Sequence, residues 1–357
     1  MKLLTSEQAA QALGVTKTTL YAYVSRGLLE SVEGPERTRR YRWEEVERLR
    51  LRKQRPVEAA ENALYGGLPS LESRISTIEP DRLCYRGQEV VKLSRESTPR
   101  QVAALLWAGS SDYPLPPDSA ETWTGPFLAG ALTWLAAQLE ADWSAWDLSP
   151  EGVRRTGWRI YQAFRAQLPD HPRLDQALIL CADHELNAST FAARVAASTG
   201  ANPYAVISAA LAALSGPKHG GATSQVEALF AEAAAGSPHQ AIGERLRRGD
   251  PVAGFGHPLY PQGDPRARAL LEPNPQAQAW VDAGQQLLNA YPTVDLGLVA
   301  LGLPRGVAFQ VFATGRCLGW IAHALEQYAD GRMIRPRAFN RGSQGLWKIR
   351  FSDKLEE

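Results

Sequence analysis

Alanine and leucine recur at three- and four-residue spacing through Gly130–Leu139, Arg173–Cys181, Thr190–Ala197, Ala205–Leu214 and Ser224–Ala235. That spacing follows the 3.6-residue turn of an α-helix, so each segment can lay an apolar stripe on a common core. Alternating Val, Ile and Thr, the mark of half-buried strands, is scarce outside a short stretch near Ile75–Val91. The pattern predicts a mainly α body with a small hairpin at its start.

A chain of 357 residues is too long for one compact unit and is expected to hold two or three domains. Its charge is unevenly spread. Residues 1–55 carry 12 Lys+Arg against 7 Asp+Glu, a net of +5, and the remainder carries 27 against 31, a net of −4. A basic head on an acidic body confines any polyanion-binding role to the head. The three cysteines, Cys84, Cys181 and Cys317, are far apart with no CxxC spacing, which argues against a disulfide framework or a zinc site. Apolar stretches such as Ala205–Leu214 are too short to span a bilayer, and MKLLTSEQ turns polar before a secretory segment forms. The expectation is a soluble cytoplasmic protein.

In the head, Thr5 and Gln8 fit a capping box that opens a helix ended by Gly14, and Thr16 can cap a second helix from Lys17 to Arg26, stopped by Gly27. Arg37, Arg39, Arg40 and Arg42 surround Tyr41, and a third helix is expected from Trp43 to Lys53. Two helices joined by so short a turn form a helix-turn-helix. TSEQAAQALGVTKTTLYAYVSRGLL followed by RRYRWEEVERL resembles the winged helix-turn-helix of MerR- and excisionase-type regulators. The resemblance implies that double-stranded DNA is a partner. Lys17, Thr18, Thr19, Tyr21 and Tyr23 would face the major groove, and Arg39, Arg40 and Arg42 would contact phosphate. A solvated helical adaptor with ordinary surface arginines is the alternative. One such module makes a small interface, so specific binding calls for two per site and hence a dimer.

Three of the six histidines lie in distinctive settings. In SGPKHGGATSQVE, Gly216 and Pro217 break a helix ahead of His219. Gly220 and Gly221 allow close backbone approach, to a ligand or between helices, and Ser224 with Glu227 can cap the next helix. A histidine at a helix N-terminus is favoured as the neutral imidazole, which can donate a hydrogen bond to a carbonyl oxygen. His257 lies in AGFGHPLYPQGDPRAR, a Gly- and Pro-rich loop ending in an Asp-Pro-Arg turn, and His184 lies in CADHELNAST, at a helix end followed by a new cap. No HxxxH or HxxE spacing links the three, so no metal site is suggested.

These segments, with STIEPDRLCYRGQEV, YPTVDLGLVALGLP and FATGRCLGWIAHALEQYADGRMIRPRA, resemble in order and spacing the signature stretches of the citrate synthase family, from about Leu71 to about Arg341. The resemblance implies a homodimer of two-domain helical subunits that condense acetyl-CoA with oxaloacetate. The winged head would occupy residues 1–55 and a linker 56–70. A large domain would span 71–217 and 314–357, and a small domain 218–313. His219, His257 and Asp295 would be catalytic. His219 would donate to the thioester carbonyl, Asp295 would take the methyl proton, and His257 would polarise the ketone. His184, Arg266, Arg316 and Arg335 would bind oxaloacetate or citrate, Arg335 reaching the partner's site. No cofactor is implied, the CoA thioester being a substrate. Thr223 and Thr293 stand where many relatives have Asn, and PLYPQG lacks a basic residue common after the GFGH histidine, which bears on acyl-CoA preference. The resemblance is shared by 2-methylcitrate synthases that use propionyl-CoA, and a regulator could keep the fold as a metabolite sensor.

Overall fold

In a computed structural model of the full chain, the described residues are 3–25, 28–33, 38–43, 45–47, 49, 71–79, 81–118, 121–272, 274 and 276–336. Two compact units divide the chain, Met1–Glu72 and Ser73–Glu357.

The first unit opens with β1 (Leu3–Thr5), α1 (Ser6–Ala12) and α2 (Lys17–Ser25), followed by β2 (Val32–Glu33) and β3 (Arg39–Arg42). The capping box forms as expected: Thr5 Oγ1 accepts from Gln8 N at 3.1 Å, and Gln8 Oε1 accepts from Thr5 N at 2.9 Å. Gly14 takes the left-handed conformation (φ 61°) that ends α1, and Thr16 Oγ1 caps α2 through Thr19 N at 3.2 Å. The strands pair antiparallel in the order β1-β3-β2, with Leu4 opposite Tyr41. Leu4, Ala9, Ala10, Leu13, Leu20, Leu29, Tyr41, Val46 and Leu49 close a small core. Trp43, residues 45–47 and Leu49 are helical, in keeping with a third helix. Arg26, Gly27, Arg37, residues 50–53 and the expected linker 56–70 lie outside the described residues.

The second unit begins with β4 (Ser76–Glu79), β5 (Arg82–Tyr85) and β6 (Gln88–Glu89) in one antiparallel sheet, so the expected hairpin gains a third short strand. Helices follow: α3 (Val90–Glu96), α4 (Pro99–Ala108), α5 (Phe127–Ala141), α6 (Pro150–Arg165), α7 (Leu174–Cys181), α8 (Ala188–Ser198) and α9 (Pro203–Leu214). Then come α10 (Ala222–Ala233), α11 (Pro238–Arg248), α12 (Pro265–Leu271), α13 (Ala277–Leu288), α14 (Val294–Val299) and α15 (Val307–Asp330).

Two hydrophobic clusters organise these helices. The larger gathers α4 to α9 around α15, a helix buried on nearly every face from Val307 to Ala324 and apolar apart from groups such as Thr314, Arg316 and His323. The smaller joins α10 to α14 through Val226, Leu229, Ile242, Leu271, Trp280 and Leu296. Glycine sets how closely α15 meets α7. A Cβ at Gly315 would lie 2.5 Å from Leu178 O, and one at Gly319 would lie 2.3 Å from Ala182 O. Without side chains there, Gly319 N donates to Ala182 O at 2.9 Å, which seats Arg316 and His323 against the end of α7.

Candidate active site

The corner after α7 carries His184. It is pinned from several sides: Tyr85 Oη accepts from Asp183 N at 3.0 Å, Ser76 Oγ donates to Asp183 Oδ2 at 2.5 Å, and Ile78 N donates to Glu185 at 3.0 Å. Glu185 adopts φ 49°, unusual for a residue with a side chain, and Asn187 caps α8 through Thr190 N at 3.1 Å. The His184 side chain is buried, with Nε2 3.0 Å from Tyr260 Oη and its ring 5.2 Å from that of His257. Burial, then the nearby Arg266 and Arg316, push its pKa well below the ordinary value, so it is neutral at physiological pH. Beneath it lies a fully buried carboxylate–imidazole pair, with Asp183 Oδ1 3.3 Å from His323 Nε2. Burial alone would raise the Asp183 pKa, but His323, Arg316 and Ser76 outweigh it and hold the carboxyl low.

The second segment follows α9, which ends at Leu214 as Gly216 and Pro217 require. His219 Nε2 lies 2.9 Å from Ser189 Oγ and 3.2 Å from Asn187 Oδ1. Its pKa falls to about 4 through burial and then Arg316, so here too the imidazole is neutral. One local expectation fails. α10 starts at Ala222, so Ser224 sits inside the first turn, where its hydroxyl donates back to Gly221 O at 2.8 Å, and Glu227 accepts from Gly306 N at 2.8 Å instead of closing a cap. The glycines serve packing: Cβ atoms at Gly220 and Gly221 would meet the end of α9 at 2.8 and 2.5 Å.

His257 rides on a loop tied to residues 291–293 by Gly256 N to Tyr291 O (2.9 Å) and Thr293 N to Gly254 O (2.8 Å). Its Nδ1 accepts from Leu259 N at 3.2 Å, which leaves the proton of the neutral ring on Nε2. Asp264 opens α12 as its N-cap rather than forming a free turn. Its carboxylate takes Arg266 bidentately, Nε to Oδ1 at 3.0 Å and Nη2 to Oδ2 at 2.8 Å, and also accepts from Val294 N at 3.2 Å. Asp295, one residue further on, is half-buried with its Oδ1 sealed from solvent, and its pKa is raised to about 6 by desolvation, with Arg266 and Thr293 pulling the other way. Its Oδ2 accepts from Thr293 Oγ1 at 3.3 Å, while Oδ1 has no partner. Arg316 is also buried, its Nε donating to Cys181 O at 2.7 Å and its Nη2 unpartnered.

Six of the seven expected residues, His184, His219, His257, Arg266, Asp295 and Arg316, thus join one linked set of buried or half-buried groups with orphan polar atoms. Arg335 is exposed on the segment after α15, and no contact joins it to the set. Tyr260, Ser189, Asn187 and Asp264 were not singled out as site groups from sequence, and Thr293 stood out only as a departure bearing on acyl-CoA preference. The hydrogen-bonding side chains beside the expected histidines and carboxylate were their available signal. A cavity of about 710 Å³ flanks α12 and α13, lined by Arg95, Asp264, Arg268, Glu272, Gln278 and Tyr291 among others, and shares only Asp264 with this set. Cys84, Cys181 and Cys317 are buried free thiols, and no helix among the described residues is long and apolar enough to cross a membrane.

In the first unit, Thr18 is exposed and Tyr21 is 44% exposed. Lys17 pairs with Glu7, and Thr19 bonds Thr16 Oγ1 at 3.0 Å. Arg39 is exposed, Arg40 half-buried, and Arg42 sits 3.7 Å from Glu45. Tyr23 is half-buried and packs against the head core, on the same side of α2 as Leu20 and Val24.

Residues 165–337 match the citrate synthase C-terminal domain family, and residues 3–54 match a helix-turn-helix domain family. The chain is 39% identical over 184 residues to citrate synthase 2 of Bacillus subtilis, covering 46% of this chain and 49% of that protein. It is 37% identical over 194 residues to citrate synthase of Haloferax volcanii, covering 48% and 50%. The chain therefore spans about half the length of the curated relatives it matches. Among solved structures, citrate synthase from Thermotoga maritima superposes with TM-score 0.58 at 27% identity over 81% of this chain and 98% of that one. Citrate synthase from Pyrobaculum aerophilum gives 0.62 at 26% over 80% and 93%.

Proposed function

We propose that this chain, which carries a citrate synthase C-terminal domain behind a helix-turn-helix domain, is an enzyme that condenses an acyl-CoA with oxaloacetate. The observation that carries the reading is the pairing of a desolvated, half-satisfied carboxyl at Asp295 with neutral imidazoles at His219 and His257. A carboxylate whose pKa is raised to about 6 remains ionised at neutral pH yet is a better base than an exposed one, which suits removal of a proton next to a thioester. His219 stabilises the enol oxygen. Ser189 Oγ has one hydrogen, shared between Asn187 Oδ1 at 2.8 Å and His219 Nε2 at 2.9 Å; when it goes to Nε2, Nδ1 keeps the ring hydrogen and becomes the donor. His257 presents Nε2–H to the ketone and protonates the alkoxide formed as the new C–C bond closes. Arg266 and the free Nη2 of Arg316 take the substrate carboxylates, with His184 beside them. Water then hydrolyses the citryl thioester and releases CoA.

Within this reading the cluster built on α10 to α14 is the small domain and closes on the larger one, and a second subunit supplies Arg335. Thr18, Tyr21, Arg39 and Arg40 of the helix-turn-helix would meet DNA, and two heads per dimer would engage two half-sites.

Thiol release from the purified protein, given oxaloacetate with acetyl-CoA and then with propionyl-CoA, tests the reading. Release supports the synthase, and the ratio of kcat/KM values assigns the acyl donor. Oxaloacetate binding without release would overturn the enzyme and leave a metabolite sensor.

A further inference from the structure

Thr293 occupies the N-cap of α14, where a threonine hydroxyl ordinarily accepts from a backbone amide of the first turn. Here it makes no such bond, and Leu296 N instead reaches Thr293 O at 3.1 Å. The hydroxyl is turned to Asp295 Oδ2 at 3.3 Å, and the Thr293 amide is fixed by Gly254 O at 2.8 Å, so the residue is held from two sides. Asp295 Oδ1 is buried without a partner, which makes this hydroxyl the one side chain that hydrogen-bonds the carboxylate among the described residues. We infer that Thr293 is a positioning residue that sets both the rotamer and the proton affinity of Asp295. The inference rests on the reading of Asp295 as the base.

Other groups near the carboxylate are committed elsewhere. From α12, Arg266 attracts it and Asp264 opposes it, but the two are bound to each other. The Cys181 thiol at the end of α7 is neutral, its pKa pushed up to about 12 by burial. Glu227 of α10 is turned to Gly306 N, and Arg316 of α15 donates to Cys181 O. Losing a hydroxyl that donates to the ionised form therefore favours protonation.

Thr293→Val keeps the shape and deletes the donor. A lost bond to a carboxylate at this length is expected to tighten proton binding roughly three- to tenfold, moving the acid limb of kcat/KM up by about half to one pH unit, with the alkaline plateau lowered as the carboxylate loses its fixed rotamer. Thr293→Ser should restore the wild-type limb. A Thr293→Val profile lowered equally at all pH, or unshifted, overturns the inference while leaving the base assignment intact, provided Asp295→Asn is inactive. An active Asp295→Asn removes both. A readout independent of turnover is the pH dependence of unfolding. Thr293→Val should lose more stability above pH 6 than below pH 4, and that difference should vanish when Asp295→Asn is also present. A difference that persists in the double variant refutes the assignment.

Discussion

Replacing Asp295 with Asn is expected to stabilise the protein even as it removes turnover. In the folded chain this carboxyl is desolvated and its pKa stands at about 6, against an ordinary value of 3.8. Such a group binds its proton more tightly when folded. Below the ordinary value both states are protonated and nothing is gained or lost. Between there and about 6 the folded state holds more protons than the unfolded one, so stability falls as pH rises. Above about 6 the full cost of a desolvated carboxylate is present. At about 1.4 kcal/mol per tenfold change in proton affinity, that cost is on the order of 3 kcal/mol. Asn fills the same space, keeps an acceptor for the Thr293 hydroxyl and carries no charge, so most of the cost should be relieved. Denaturant unfolding at about pH 8 should show the gain, and at about pH 4 the variant and wild type should converge. A gain equal at both pH values would assign it to packing rather than charge. No gain at the higher pH would refute the argument that Asp295 is held ionised against desolvation.

Other substitutions probe neighbouring parts of the same site. Asp264→Ala leaves Arg266 buried without its bidentate partner and should cost about 3–5 kcal/mol by denaturant unfolding, whereas a cost under about 1 kcal/mol would mean the guanidinium relaxes to solvent. Tyr260→Phe removes the hydroxyl from His184 Nε2 while keeping the ring packed, so oxaloacetate affinity by calorimetry should fall roughly tenfold with little change in melting temperature. Arg39→Ala combined with Arg40→Ala should weaken duplex DNA binding alike across sequences and lower the salt slope by roughly two; an unchanged slope would show that neither arginine neutralises a phosphate.

Much of the fold was legible because its signals are local. The Thr5–Gln8 capping box, the Gly14 stop and the three- and four-residue apolar spacing act within a turn or two of chain, and each appears where the residues call for it. His219, His257 and Asp295 were legible because each sits in a distinctive short motif. Their partners were not. Ser189 reaches His219 across 30 residues, and Tyr260 reaches His184 across 76. Only the fold brings these together, and neither Ser nor Tyr is conspicuous by type.

The capping rules also show where local reasoning gives way. At Thr5 the hydroxyl follows the rule, because the competing groups are exposed and water satisfies whatever it leaves unbound. At Ser224 the rule fails because the helix begins earlier than the serine suggests, a matter of boundary alone. At Thr293 it fails for an energetic reason. The hydroxyl can bond a neutral amide or a desolvated carboxylate, and a hydrogen bond to that charged acceptor is the stronger of the two. The backbone then satisfies the helix end by itself, through Thr293 O. A capping residue that abandons its helix is thus a sign that a desolvated charge lies within its reach, and in this chain that charge is the carboxylate assigned as the base.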